Sequence, residues 1–352
     1  MEERLHLKGL NGLRAIAAIC VVISHCKLQE FQFNDLWPGM IGLYAVTIFF
    51  TLSGFLITFL LLKEKEKTEI NVRKFYIRRI LRIWPLYFAY LVVVIAIVYL
   101  QAPEKLPGTL PYYLFFADNV PYILDTCLPH LSHYWSLGAE EQFYLFWPWV
   151  IKKFKNSFKT ITFLIILIFI LKAVAYVISL KYKTVVFVNA LNFTRFECMA
   201  IGGLGAYLYL KKNKLFIWVT ANRFTEFFCW AYLCLTAAST NFWFLNHDGV
   251  SVVTLCLIAN LNLNKRSFIK LDNRVFDFLG RISYGIYIIH PLVIYPLRAI
   301  LPKLNLSPGW RSVFFFSGAL IITVFIAWLS YRFFEKRFLL LKERFAVIKN
   351  RA

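Results

Sequence analysis

Acidic residues are scarce in this chain, 19 Asp and Glu against 40 Lys and Arg, and charged residues make up only 17% of it. Soluble domains carry about 25%. The sequence has no CxxC pair, no His/Cys cluster at metal-ligand spacing and no glycine-rich phosphate loop. These absences argue against a zinc ribbon, a thioredoxin-like redox centre and P-loop nucleotide chemistry. Polar linkers and internal repeats are also lacking, so no separate soluble domain is expected. The first apolar run lacks a small-residue cleavage site and carries Arg14, so no cleavable signal peptide is expected either.

Hydrophobic residues account for 59% of the 352 positions, and the mean hydropathy is +0.60; soluble chains hold about 45–50% apolar residues. Runs such as "FLIILIFILKAVAYVISL" and "GALIITVFIAWLSYRFF" approach the roughly 20 helical residues that cross about 30 Å of hydrocarbon. The expected fold is an all-α, polytopic transmembrane helical bundle. Ten spans are placed near residues 10–26, 40–62, 83–100, 133–151, 160–180, 194–210, 224–241, 248–263, 280–298 and 312–332. With both termini cytoplasmic, most of the 40 basic residues fall in cytoplasmic segments, as the positive-inside rule requires. The net charge of +21 is then a topology signal, and no nucleic-acid partner is expected. Residues 1–335 form the membrane domain, and 336–352 read as a basic amphipathic tail at the lipid interface. Five of the seven cysteines lie within spans as packing residues. Cys26 and Cys127 map to the outer side, where their pairing is left open.

An ionisable residue in a span costs about 2.5–3.5 kcal/mol on insertion scales, so each one calls for a reason. Arg14 and His25 are separated by ten residues that are apolar except for Ser24. Eleven positions make three helical turns plus about 20°, which puts both on one face roughly 16 Å apart. His133, Ser136, Glu140 and Tyr144 follow spacings of three and four and form a polar stripe. A buried Glu140 needs a partner, and a His–Glu pair with His25 would poise the imidazole as a base. Ser283, Tyr287 and His290 share a face of the ninth span. His290 precedes Pro291, so it could bind substrate or bond a backbone carbonyl that the proline frees. Arg195, near Glu197, could hold substrate or anchor the outer interface. Lys172 is expected to snorkel outward without a function. Arg78, Arg79 and Arg82 open the third span, where arginine forks suit a phosphate-rich ligand or anionic lipid.

The segments "GLRAIAAICVVISH", "FFTLSGFLIT", "FYIRRILRIWPLY", "HYWSLGAEEQFYLFWP" and "GRISYGIYIIH", in that order from residue 9 to about 335, resemble the signatures of the acyltransferase-3 family of integral membrane acyltransferases. In that resemblance the arginine–ten residues–histidine pattern falls on Arg14 and His25, and the basic motif on Arg78, Arg79 and Arg82. The Ser-Gly-Phe turn falls on Ser53, Gly54 and Phe55, and the glutamate on Glu140 rather than Glu141. Some members carry an extracytoplasmic hydrolase-like domain; this chain ends at 352 and reads as the stand-alone form.

The resemblance implies O-acylation, most commonly O-acetylation, of a cell-surface or lipid-linked carbohydrate. Its donor would be cytosolic acyl-CoA, as co-substrate rather than tightly bound cofactor, and its seat the inner (cytoplasmic) membrane. His25, Arg14 and Glu140 are then the catalytic candidates, with Arg78, Arg79, Arg82 and Ser53 for the donor. His133, Arg195, Tyr287 and His290 are candidates for the acceptor. No metal is called for, membrane lipids are the remaining partner, and the oligomeric state is left open. His25 could deprotonate the sugar hydroxyl or carry the acyl group as an acyl-imidazole. Two other classes stay open: a proton-coupled transporter that uses the same polar residues as a substrate path, and a non-catalytic component of a polysaccharide assembly complex.

Overall fold

The computed structural model describes residues 7–30, 41–238 and 246–347, and these contain helices and connecting turns with no strand. In chain order the helices are α1 (Leu10–Glu30), α2 (Ile41–Lys67), α3 (Val72–Gln101), α4 (Leu106–Leu114), α5 (Asn119–Ile123), α6 (Trp135–Lys153), α7 (Ser157–Tyr182) and α8 (Val186–Asn192). There follow α9 (Phe196–Leu210), α10 (Lys214–Thr220), α11 (Arg223–Ala238), α12 (His247–Leu263), α13 (Arg274–Arg281), α14 (Ser283–Ile300), α15 (Pro308–Ser330) and α16 (Lys336–Glu343). A π-helical turn, Tyr331–Glu335, joins the last two.

Among the described residues, five helical stretches are long and apolar enough to cross a membrane: α2, α3, α7, Ser283–Lys303 and Pro308–Glu343. Two shorter apolar helices run over Leu10–Cys26 and His247–Leu263. Helices also occupy the other expected positions, but α6, α9 and α11 have only 19, 15 and 16 residues. Each falls short of the roughly 20 apolar residues that a full crossing takes. The chain is a multi-pass helical membrane protein.

Two compact units divide it. The first holds residues 1–52 and 208–344, and the second residues 53–207 with the short segment from Phe345. In the first, α1 packs against α13, α14 and α15. Ala15, Ala17 and Ala18 are fully buried, and their small side chains let neighbouring helices approach closely. At Gly280 a Cβ would lie 2.3 Å from the carbonyl oxygen of Asn11, so only glycine fits where α13 meets α1. The N-terminal half of α2 is tied to α12 by polar rungs, Thr47 to His247 at 2.9 Å and Thr51 to Ser251 at 2.8 Å.

In the second unit the C-terminal half of α2 packs on α9. A Cβ on Gly54 would lie 1.9 Å from the carbonyl oxygen of Met199. The Ser-Gly-Phe segment is therefore not a turn: it sits in mid-helix, and its glycine is a contact point between helix backbones. Trp147 closes this region by donating its indole N–H to Thr58 Oγ1 at 2.8 Å. Residues 101–132, between the third and fourth expected spans, are largely helical, built from α4 and α5 with short 3₁₀ turns. All seven cysteines, Cys26 and Cys127 included, are free thiols.

Candidate active site

In the first unit, α1 presents Arg14 and His25 and α14 presents Tyr287 and His290. His25 Nδ1 lies 3.0 Å from Val21 O, one turn back in its own helix. A carbonyl only accepts, so Nδ1 carries the hydrogen and the neutral ring keeps its lone pair on Nε2. His290 repeats the arrangement, with Nδ1 2.7 Å from Tyr287 O. The reason lies in the sequence. Pro291 has no N–H to give the carbonyl four residues before it, and that carbonyl belongs to Tyr287. The preceding histidine supplies the missing donor. His290 is fully buried, and its ring lies 4.7 Å from that of His25, centroid to centroid, at a tilt of 56°. The Tyr287 ring lies 6.0 Å from His290 and 5.9 Å from Phe49.

Arg14 is only 8% exposed. Its Nη1 donates to Asn11 Oδ1 at 3.4 Å, and Asn11 Nδ2 donates to Asp277 Oδ1 at 3.3 Å. The asparagine thereby couples a buried guanidinium to a carboxylate on α13. Neither Asn11 nor Asp277 stands out in the sequence. An Asx residue one turn before a buried arginine is the signal that could have found the first.

In the second unit, Glu140 Oε1 accepts from both Ser53 Oγ and the Tyr144 hydroxyl. Glu140 and Tyr144 lie one turn apart on α6, and Ser53 comes from α2. Arg79 sits over the rings of Tyr144 and Phe75, 5.4 and 5.6 Å from their centroids, close enough to Glu140 for their charges to interact. Each member of the expected His25–Glu140 pair thus has hydrogen-bond partners within its own unit. Glu141 turns to a different side, where Trp84 Nε1 donates to its Oε2 at 3.1 Å.

The three arginines do not act alike. Arg78 donates to Glu64 Oε2 at 3.4 Å and to Phe345 O at 2.9 Å. Glu64 is buried and also accepts from the Asn71 backbone N–H at 2.7 Å. Arg78 is therefore committed to the protein, while Arg79 and Arg82 are half-buried along α3.

The remaining candidates have other partners. His133 falls in the 3₁₀ turn before α6 rather than on the stripe, buried against Tyr90 and Tyr134. Arg195 is buried at positive φ (47°), with its guanidinium 5.2 Å from the Trp135 ring and its Nε donating to Asn192 O at 3.1 Å. Lys172 does not snorkel. Its Nζ lies 2.6 Å from Oε1 of buried Glu197, because an ammonium on a lipid-facing helix is stabilised more by an inward carboxylate than by hydrocarbon.

The profile of the acyltransferase domain family matches residues 7–332. The chain belongs to the acyltransferase-3 family. Among relatives of this acyltransferase domain is a Staphylococcus aureus (strain COL) protein provisionally named an O-acetyltransferase. It is 29% identical over 96% of this chain and 58% of its own length. O-acetyltransferase OatA of S. aureus (strain NCTC 8325 / PS 47) is 27% identical over 95% of the chain and 57% of its own. The acyltransferase-3 chain thus spans less than three-fifths of the length of these relatives. No solved structure gives a significant match.

Proposed function

We propose that the chain is an O-acyltransferase, most simply an O-acetyltransferase, which moves an acyl group from acyl-CoA to a hydroxyl of a cell-surface or lipid-linked carbohydrate. The observation that carries the reading is the His25–His290 pair, two adjacent imidazoles each fixed through Nδ1 so that Nε2 is the basic atom. The names of the relatives support an O-linked acetyl product.

In this reading His25 Nε2 takes the proton of the acceptor hydroxyl as its oxygen attacks the thioester carbonyl. The new C–O bond forms, the C–S bond breaks, and the proton passes from Nε2 to the departing thiolate to give free coenzyme A. In the two-step variant, Nε2 itself attacks the thioester carbonyl and the C–S bond breaks to release the coenzyme A thiolate. The acyl-imidazole then passes its group to the hydroxyl oxygen, whose proton goes to that thiolate. Arg14 supplies positive charge in the same helix. Arg79 and Arg82, with Ser53, serve the donor, and Glu140 helps to orient reacting groups. His133, Arg195, Tyr287 and His290 remain candidates for contacts with the acceptor.

The seat would be the inner membrane, with ten crossings and both termini in the cytoplasm. The distribution of Lys and Arg and the helix found at each expected position support this arrangement. Radiolabelled acetyl-CoA supplied to inverted membrane vesicles tests the proposal. Label should enter glycan with the wild type and not with His25→Ala; equal transfer by both would remove His25 from the reaction.

A further inference from the structure

On the second unit, the segment after α2 and the C-terminal end of α6 enclose a recess of about 580 Å³ lined by Lys65, Glu69, Trp149, Lys152 and Lys153, among others. This volume lies within the roughly 300–1,000 Å³ of small-molecule sites. Lys65 is fixed: its Nζ donates to Ile151 O at 2.5 Å and to Phe154 O at 2.8 Å, bringing a cation to the negative end of the α6 dipole. Lys152 is held more loosely, 2.8 Å from Glu69, whose side chain is 81% exposed. An exposed pair of this kind is weak, so a polyanion can displace the carboxylate. Lys153 is exposed and has no carboxylate partner among the described residues. Trp149 is half-exposed, and its indole N–H is anchored on the Tyr76 hydroxyl at 2.9 Å, which fixes the ring without occupying its faces.

Three ammonium groups beside an immobilised indole match a ligand with several phosphates and a flat heterocycle. We infer that this recess is a nucleotide site, in which Lys152 and Lys153 hold the phosphates, the fixed Lys65 adds positive charge beside them, and Trp149 stacks on the purine. Resting on the acyl-CoA reading above, the ligand is the 3′-phosphoadenosine diphosphate end of the donor. Arg78 is committed to Glu64 and Phe345 O, and Glu64 is followed directly in the chain by Lys65 of the recess. The distribution of basic residues, with cytoplasmic termini, assigns both recess segments to the cytosolic side, where acyl-CoA is found.

The test is coenzyme A binding to the full chain in phosphatidylcholine nanodiscs. Lys152→Ala/Lys153→Ala should weaken binding about tenfold or more, and raise KM for acetyl-CoA with the loss recovered at saturating donor. Trp149→Leu should weaken coenzyme A binding while leaving competition by inorganic pyrophosphate unchanged. In the wild type, coenzyme A should shield Lys152 and Lys153 from amine-reactive labelling, a readout independent of how the variants fold. If wild type and double variant bind coenzyme A equally, the recess assignment fails and the donor reading stands. If phosphatidylglycerol shields the lysines and coenzyme A does not, the recess is a lipid site and the assignment is overturned. A wild type that binds no coenzyme A defeats the donor reading and this inference with it.

Discussion

The imidazoles of His25 and His290 lie with ring centroids 4.7 Å apart, each oriented through Nδ1 by a main-chain carbonyl of its own helix. If His25 Nε2 moves the proton, His25→Ala should reduce acetyl transfer by at least about a hundredfold. The effect at His290 should depend on what replaces it. Asparagine can still donate to Tyr287 O, whereas phenylalanine fills the space and leaves that buried carbonyl unpaired. His290→Asn should therefore retain more activity and more thermal stability than His290→Phe, measured by transfer assay and by unfolding in detergent.

Glu140 accepts from Ser53 and Tyr144 on one oxygen, so the two donors should be energetically coupled. Ser53→Ala and Tyr144→Phe, made singly and together, should give a coupling energy of about 0.5–3 kcal/mol in a double-mutant cycle. Strict additivity would show that the two hydroxyls act independently.

Lys172 and Glu197 form an ion pair on helices α7 and α9, with Glu197 almost fully buried. Removing one partner from such a pair costs about 3–5 kcal/mol, because the other charge is left uncompensated. Glu197→Gln should lower the unfolding temperature clearly, and Lys172→Met/Glu197→Gln should recover part of the loss. A single variant as stable as wild type would mean that the pair contributes nothing.

Asp118, between α4 and α5, is buried with the Tyr87 hydroxyl donating to its Oδ1 at 2.8 Å. Burial pushes its carboxyl well above the ordinary carboxylate range, and the nearby Glu141 charge adds to the rise against the opposing hydrogen bond from Tyr87. A folded-state value above the unfolded one means that the group's stabilisation is complete below about pH 4. It is lost as pH climbs through the raised folded value. Asp118→Asn keeps the acceptor for Tyr87 and cannot ionise. Its stability should fall less than that of wild type as pH rises across that window, as read by thermal unfolding at a series of pH values.

Gly54 has no room for a methyl group, since a Cβ would lie 1.9 Å from Met199 O. Gly54→Ala should abolish the folded protein rather than merely slow it, visible as loss of a monodisperse peak in size-exclusion chromatography.

Helix positions, the Arg14–His25 face and the carbonyl bond of His290 were all legible from periodicity and from one proline. Those features depend on residues within a single helix. Pairings between helices were not legible. Lys172 with Glu197, Arg78 with Glu64 and Trp84 with Glu141 each join segments whose mutual rotation the chain's own periodicity does not encode. The acid in "KEKEK" that neutralises Arg78 looks like any solvated loop charge until the fold buries it. His133 was misplaced for a related reason: spacing of three or four predicts a shared face only while the helix continues, and α6 begins two residues later.

Pro291 deletes one amide hydrogen, and the vacated carbonyl of Tyr287 takes up the adjacent imidazole. A peptide oxygen neither gains nor loses a proton under physiological conditions, so it sets the ring's tautomer without introducing a fixed anion. In the proposed transfer this spares a departing thiolate the repulsion of a permanent negative neighbour. Tautomer control of the neutral ring is here written into the main chain.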